Sequence, residues 1–238
     1  MFWIGTSGYN YLEWRGSFYP PDLPAAKMLP YYAARFPTVE INYTFYRLPT
    51  EAMLRNWMAV TPPHFRLTLK APRRITHDAR LKDCRSLVET FTRTAAVLGD
   101  RLGVLLFQLP PTFKLAMPVL DEFLGWLPPS QRVAFEFRHA SWLTPEVFER
   151  LKAHQSAALC IAETEDASTP FVLTANFAYL RLRDEGYTPD DLKAWASRLK
   201  ADAAHCTDVF VYFKHEEAGK GPEFAKRLTE FLQAHGVE

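Results

Sequence analysis

Three carboxylates and five cations stand at positions that a single fold would gather: Glu40, Glu136 and Glu163 with Lys70, Arg138, Arg181, Arg183 and Lys214. Each lies at or just past the end of a short apolar run. In TVEIN (38–42), Val39 and Ile41 suit a sheet interior, while Glu40 and Asn42 share the other face of the same strand. Applied to the later runs, this alternation puts Thr68 and Lys70, Gln108, Glu136 and Arg138, Arg181 and Arg183, and Tyr212 and Lys214 on one inward face, with Glu163 just past its run. Cations in such excess suit an anionic ligand, because arginines grip phosphate or carboxylate through paired hydrogen bonds. A carboxylate beside them serves as general base or acid. Glu40 and Glu136 are the acid/base candidates, with His77 as a second proton carrier. Lys70, Arg138, Arg181 and Lys214 would bind the anion, and Asn42, Gln108 and Tyr46 would orient it. Two carboxylates also permit glycoside hydrolysis, for which they should lie about 5 Å or about 6.5–9.5 Å apart.

The bland reading of the same residues is an ion-pair network that closes one end of the fold, with Glu136 held by a neighbouring arginine. His77, His139 and His215 each follow one of these strand ends, so a metal site is conceivable with a glutamate added. No HxH, HExxH or similar spacing supports it, and the expectation is neither metal nor cofactor. His64, His154, His205 and His235 read as surface positions, and His77 has the alternative of capping a helix near it. The stretch GTSGYNYLEWRGSFYP after the first run is long for a loop. It reads either as a lid or as a loop that buries its own rings. LPPTF (109–113) reads as a rigid structural turn.

Eight runs rich in β-branched and aromatic residues position these groups: 2–7, 38–42, 65–70, 103–108, 132–137, 158–162, 178–183 and 208–214. Helical patterning fills most of the gaps. The segment 79–98 places Leu81, Cys84, Leu87, Val88, Phe91 and Ala95 at three-to-four spacing, which predicts a helix throughout. Thr188-Pro189-Asp190-Asp191 and Thr144-Pro145-Glu146 are helix starts, with a capping hydroxyl, a first-turn proline and acids that suit the helix dipole. A final helix is expected over about 222–235, and the link 163–176 is too short and irregular for a full one. Strand alternating with helix eight times predicts parallel strands joined by right-handed crossovers: a single TIM-like (β/α)8 barrel over 1–238, irregular around the sixth and seventh strands. The site then lies at the carboxyl ends of the strands. An open doubly wound sheet is the alternative, but GTSGYN is neither GxGxxG nor a P-loop.

Composition narrows the function classes. The 238 residues carry a formal charge of +1, so any electrostatic pull on a partner is local. Cys84, Cys160 and Cys206 are scattered and odd in number, which suits reduced thiols in the cytoplasm. MFWIGTSGYN has no basic region followed by a long apolar run, so no leader is expected. No stretch approaches the ~18 apolar residues of a membrane span, so no membrane partner is expected.

The motifs GTSGYNYLEWRGSFYP, FPTVEINYTFYRLP, LTLKAPRRITHDARL, LLFQLPPTF and VAFEFRHASW, in order from residue 4 to about residue 142, resemble the YecE-like family known as domain of unknown function 72. The family's hallmark positions match Thr6, Ser7, Gly8, Glu40, Asn42, Phe45, Tyr46, Lys70, Thr76, His77, Gln108, Glu136, Arg138 and Trp142. The likeness weakens beyond. An Arg-x-His-Gly-like turn common in the family is Arg181-Leu182-Arg183-Asp184 here, and an Asn-rich end is Lys214-His215-Glu216-Glu217. The resemblance implies a (β/α) barrel and no particular activity. The residues and the resemblance together point to a cytoplasmic barrel enzyme with hydrolase-like acid/base chemistry on a small anionic, phosphorylated substrate. The alternative is a non-catalytic module for phosphorylated ligands or single-stranded nucleic acid, which would combine charge with exposed rings. The oligomeric state is not specified by the sequence.

Overall fold

The eight apolar runs form eight strands that close on each other in sequence order, every neighbouring pair parallel. They are β1 Phe2–Ser7, β2 Thr38–Ile41, β3 Arg66–Lys70, β4 Leu102–Gln108, β5 Val133–Glu136, β6 Ala157–Glu163, β7 Phe177–Leu182 and β8 Asp208–Phe213. The computed structural model describes residues 1–163, 169–184, 186–215 and 219–234. The outer ring holds α1 Ala25–Ala33, the short turn α2 Tyr43–Tyr46, α3 Glu51–Ala59, α4 Arg85–Ala95, α5 Met117–Leu124, α6 Pro145–His154, α7 Pro189–Asp202 and α8 Lys220–Gln233. No helix joins β6 to β7 among the described residues, which is where the irregularity was expected. The fold is therefore a TIM-like (β/α)8 barrel, with its carboxyl strand ends at one mouth.

Alternation sorts the side chains as the pattern requires. Val39 and Ile41 pack outward among Leu67, Leu69 and the helices. The barrel floor is apolar, with Trp3, Phe177 and Phe210 packed together, Val104 and Leu106 above them, and the small Ala134, Ala158 and Cys160 filling the taper. A neutral polar layer follows. The Tyr212 hydroxyl lies 2.7 Å from both the Thr38 and Thr68 hydroxyls. The Thr68 oxygen also accepts the Val104 N–H at 3.2 Å, where the β3–β4 register shifts. Gly103 fits that shift because a Cβ there would come within 2.6 Å of the Thr68 hydroxyl.

Helix start signals hold where their chemistry is complete. Thr188 accepts the Asp191 N–H while the Asp191 carboxylate accepts the Thr188 N–H, and Thr144 accepts the Val147 N–H. The helix expected over 79–98 is shorter. Its first part is non-helical, with Arg80, Leu81 and Asp83 at positive φ, because the buried Leu81 side chain plugs the core from a turn. His77 belongs to a wide turn over Arg74–Asp78, so it does not cap α4. His154 is half-buried rather than at the surface, and burial lowers its pKa. His235 and the pair Glu216–Glu217 lie outside the described residues. The loop after β1 buries its own rings: Trp14 and Tyr19 are buried, with Phe18 wedged edge-on between Trp14 and Tyr32. In the turn after β4, Phe113 meets Trp142 edge-on and accepts the indole N–H at its carbonyl.

Candidate functional site at the barrel mouth

β1 ends at Ser7, and Gly8 turns the chain sharply at φ +89°, a conformation that favours glycine. Its N–H bonds the Glu40 carbonyl at 2.8 Å, which sets Ser7 level with Glu40 across the β1–β2 pair. The Ser7 hydroxyl donates to Glu40 Oε1 at 2.5 Å. It accepts from Asn42 Nδ2 at 3.0 Å and Arg181 Nη2 at 3.1 Å, so its capacity is full. Asn42 Oδ1 is left buried and without a partner.

Arg181 stands in the middle of the mouth, 1% exposed, between two carboxylates that are each fully buried. Its Nη2 bonds Glu40 Oε1 at 2.7 Å and its Nη1 bonds Glu136 Oε2 at 2.6 Å. Nη1 also reaches Gln108 Oε1 at 3.2 Å. Tyr179, one inward step below on β7, donates to Glu40 Oε2. Glu136 Oε1 accepts from Arg183 Nη2 at 2.7 Å and from Arg138 Nε. Burial opposes ionisation of both glutamates. The charge of Arg181 outweighs it, aided at Glu40 by the Ser7 and Tyr179 hydrogen bonds and at Glu136 by Arg183, and both carboxyls sit below their ordinary pKa. Arg181 in turn is held in its cationic form by the two carboxylates.

This arrangement changes the roles expected from the sequence. Glu40 and Glu136 do face one another, but Arg181 fills the space between them that a sugar and water would need, so the glycosidase geometry is not present. Both are ionised at neutral pH, so neither holds the proton of a general acid. Glu163 is not in the mouth. The inward residues of β6 are Ala158, Cys160 and Ala162, so residue 163 has the outward parity. Its carboxylate accepts from Tyr187 at 2.5 Å and Trp195 at 3.0 Å, under the helix layer.

Lys70 ends β3 on the inward face, half-buried. Its Nζ lies 4.3 Å from the centroid of the Phe45 ring and makes no hydrogen bond or ion pair among the described residues. Burial, then the charges of Arg181 and Lys214, lower its pKa to about 8 against the pull of Glu40 and Glu136. His77 packs edge-on against the same ring at 5.0 Å, its Nδ1 2.9 Å from the Thr76 hydroxyl. Burial and the charge of Lys70 lower the His77 pKa, which favours the neutral ring. Tyr46 is 77% exposed, with its ring against Phe45. Lys214 is exposed just past β8.

The three histidines beyond the strand ends do not converge. His139 Nδ1 accepts the Ser141 N–H, and His215 Nε2 sits 2.6 Å from the Asp184 carbonyl with its ring against Phe224. Among the described residues no three histidine, cysteine or carboxylate side chains gather in a metal-holding group.

The reading of charged strand ends missed Ser7, which entered only through the family resemblance, and Tyr179. Both lie on the inward parity, Ser7 two residues past Gly5 and Tyr179 two before Arg181, so the alternation that found Arg181 reaches them too. A search for charged strand ends passed over a serine and a tyrosine.

The family model for "Protein of unknown function DUF72" matches residues 3–238. The chain belongs to the DUF72 family. The likeness thus extends well past residue 142, over the divergent seventh and eighth strand ends. UPF0759 protein YunF of Bacillus subtilis is 26% identical, over 98% of this chain and 95% of its own length. UPF0759 protein YecE of Escherichia coli is 35% identical over a shorter stretch, 52% of this chain and 44% of its own. Among solved structures, a DUF72 family protein from Thermotoga maritima superposes with a TM-score of 0.85 at 27% identity, covering 98% of this chain and 99% of its own. One from Enterococcus faecalis has a TM-score of 0.81 at 19% identity, covering 98% and 95%, and shares the fold. The family carries no assigned activity. No helix among the described residues is long and apolar enough to cross a membrane.

Proposed function

We propose that this DUF72 protein is a cytoplasmic barrel enzyme that binds a small anionic, phosphorylated substrate in the mouth and works on it by proton transfer. One observation carries the reading. Among the described inward residues, the four cations Lys70, Arg138, Arg181 and Arg183 stand around two carboxylates, Glu40 and Glu136. Positive charge in a concave, partly buried site concentrates anions. Glu40, Glu136 and Arg181 act as the fixed frame. Lys70 exchanges its proton near neutral pH, His77 stands beside it as second carrier, and Arg138 and Lys214 meet the anion with Gln108 and Asn42 behind them. The unpaired cysteines Cys84, Cys160 and Cys206 suit the reducing cytoplasm.

Thermal denaturation with inorganic phosphate, sulfate, sugar phosphates and short single-stranded oligonucleotides at constant ionic strength tests this. A ligand bound only by the folded chain raises the melting temperature. Stabilisation by phosphate and sugar phosphates, lost in Lys70→Met, is the expected result. Stabilisation by oligonucleotides alone would instead favour the single-stranded nucleic-acid module, for which the exposed ring of Tyr46 is the supporting feature. No response to any anion would overturn both.

A further inference from the structure

We infer that Lys70 is a carbonyl-trapping nucleophile, which condenses with the aldehyde or ketone of a small substrate that also bears a phosphate or carboxylate. This rests on the anionic-substrate reading and adds the reacting group and the substrate's second functional group. Lys70 differs from its cationic neighbours in what its charge is attached to. Arg181, Arg183 and Arg138 are each ion-paired to Glu40 or Glu136, and a guanidinium does not deprotonate in a protein. The Lys70 amine faces the mouth, has the face of the Phe45 ring as its cation–π contact and has no hydrogen-bonded or ion-paired acceptor among the described residues. A lysine placed so, desolvated and crowded by other cations, is the arrangement that turns an ammonium into a nucleophilic amine. With its pKa lowered to about 8, roughly a tenth of it is unprotonated at pH 7.

The step balances without a cofactor. The neutral amine adds to the carbonyl carbon, the C–N bond forms, and the carbonyl π pair moves to oxygen. That oxygen takes the proton that nitrogen loses. The resulting hydroxyl departs as water with a proton from solvent, and the nitrogen pair closes the C=N bond. The substrate's anion sits toward Arg138 and Lys214. Once formed, the protonated imine draws electrons from the adjacent carbon, which suits C–C cleavage or proton exchange at that carbon. His77, on the same Phe45 ring, is placed to carry that proton.

Reductive trapping tests it. The protein is incubated with cyanoborohydride and dihydroxyacetone phosphate, glyceraldehyde 3-phosphate or pyruvate in turn. Hydride adds to the imine carbon and fixes a secondary amine that intact-mass and peptide mapping locate. The expected result is one adduct per chain at Lys70, formed about tenfold or more faster than at any other lysine. Inorganic phosphate should slow it, and Lys70→Arg should remove it. Should Lys70→Arg not fold, site mapping and phosphate competition in the wild type decide alone. Adducts spread over surface lysines with Lys70 unmodified would overturn the inference. If phosphate still stabilises the fold in that case, the anionic-substrate reading stands and only the imine fails. If phosphate does not stabilise it either, both fall.

Discussion

Two parts of the mouth hold charge in opposite ways. On the side of β2, β5 and β7, Glu40, Arg181 and Glu136 form a closed chain in which nearly every charged oxygen and terminal nitrogen has a partner. On the side of β3, Lys70 has an aromatic ring beneath it and no counter-ion in contact among the described residues. The first is what burial of charge demands, since an unpaired buried ion costs several kcal/mol. In the second, a cation–π contact with Phe45 offsets only part of the cost of desolvating an ammonium that has no carboxylate against it. Ion pairing is confined to one side of the mouth: Glu40 and Glu136 are locked to Arg181, and the lysine expected as an anion clamp is the group to which we assign the chemistry.

Breaking the frame gives the largest expected effect. Arg181→Met strands two buried carboxylates, and a loss of about 5 kcal/mol or more is expected, comparable to the whole stability of a domain. Urea denaturation followed by circular dichroism should find the variant largely unfolded; a midpoint near that of the wild type would contradict the frame. Glu136→Gln should cost about 3–5 kcal/mol, as it leaves Arg138 and Arg183 without their carboxylate. The pH dependence follows from the same pair. Both glutamates have folded pKa values below the ordinary range, so the unfolded chain binds more protons as the medium acidifies. Their contribution is complete above the usual glutamate pKa of about 4.3 and is lost as pH falls below it. Urea midpoints between pH 7 and pH 3 should fall less steeply in Glu136→Gln than in the wild type.

Lys70→Met sharpens the contrast by reversing the sign. The folded pKa of about 8 lies below the ordinary lysine value of about 10.4, so the native state sheds a proton that the unfolded state keeps. The penalty is complete below about pH 8 and gone above about pH 10.4. Lys70→Met should therefore stabilise the protein by about 1–2 kcal/mol at pH 7, while abolishing phosphate-induced stabilisation. Equal or lower stability would mean that the ammonium has a partner worth keeping. The smallest effect is expected at Glu163→Gln, about 1 kcal/mol from weakened bonds to Tyr187 and Trp195, with the phosphate response unchanged. A lost phosphate response there would return Glu163 to the mouth.

The barrel was legible because two-residue alternation and helix caps are local signals. Val39 and Ile41 against Glu40 stated the two faces of β2, and Thr188-Pro189 with Asp191 stated the start of α7. The false start of α4 shows the limit: Leu81 has helical spacing from Val88, but a plug residue held in a turn repeats that spacing without a helix. At the site, parity placed Asn42, Lys70, Gln108, Glu136 and Arg181 on the inward face correctly, and failed at Glu163 when extended one residue beyond its phase. What the sequence could not carry is the pairing. That one guanidinium bridges Glu40 and Glu136, while Lys70 stays unbridged, depends on how far each side chain reaches across a closed barrel, and no spacing along the chain encodes that distance.

The Lys70 amine is expected to titrate near neutral pH, and competitive acetylation measures this most directly. The rate of Lys70 labelling, read by peptide mass spectrometry relative to the exposed lysines across pH 6 to 11, gives its apparent pKa. A midpoint close to 8, well below those of its surface neighbours, is the predicted result. A midpoint near the ordinary value of about 10.4 would show an unperturbed ammonium and contradict the division of the mouth into frame and reactive amine.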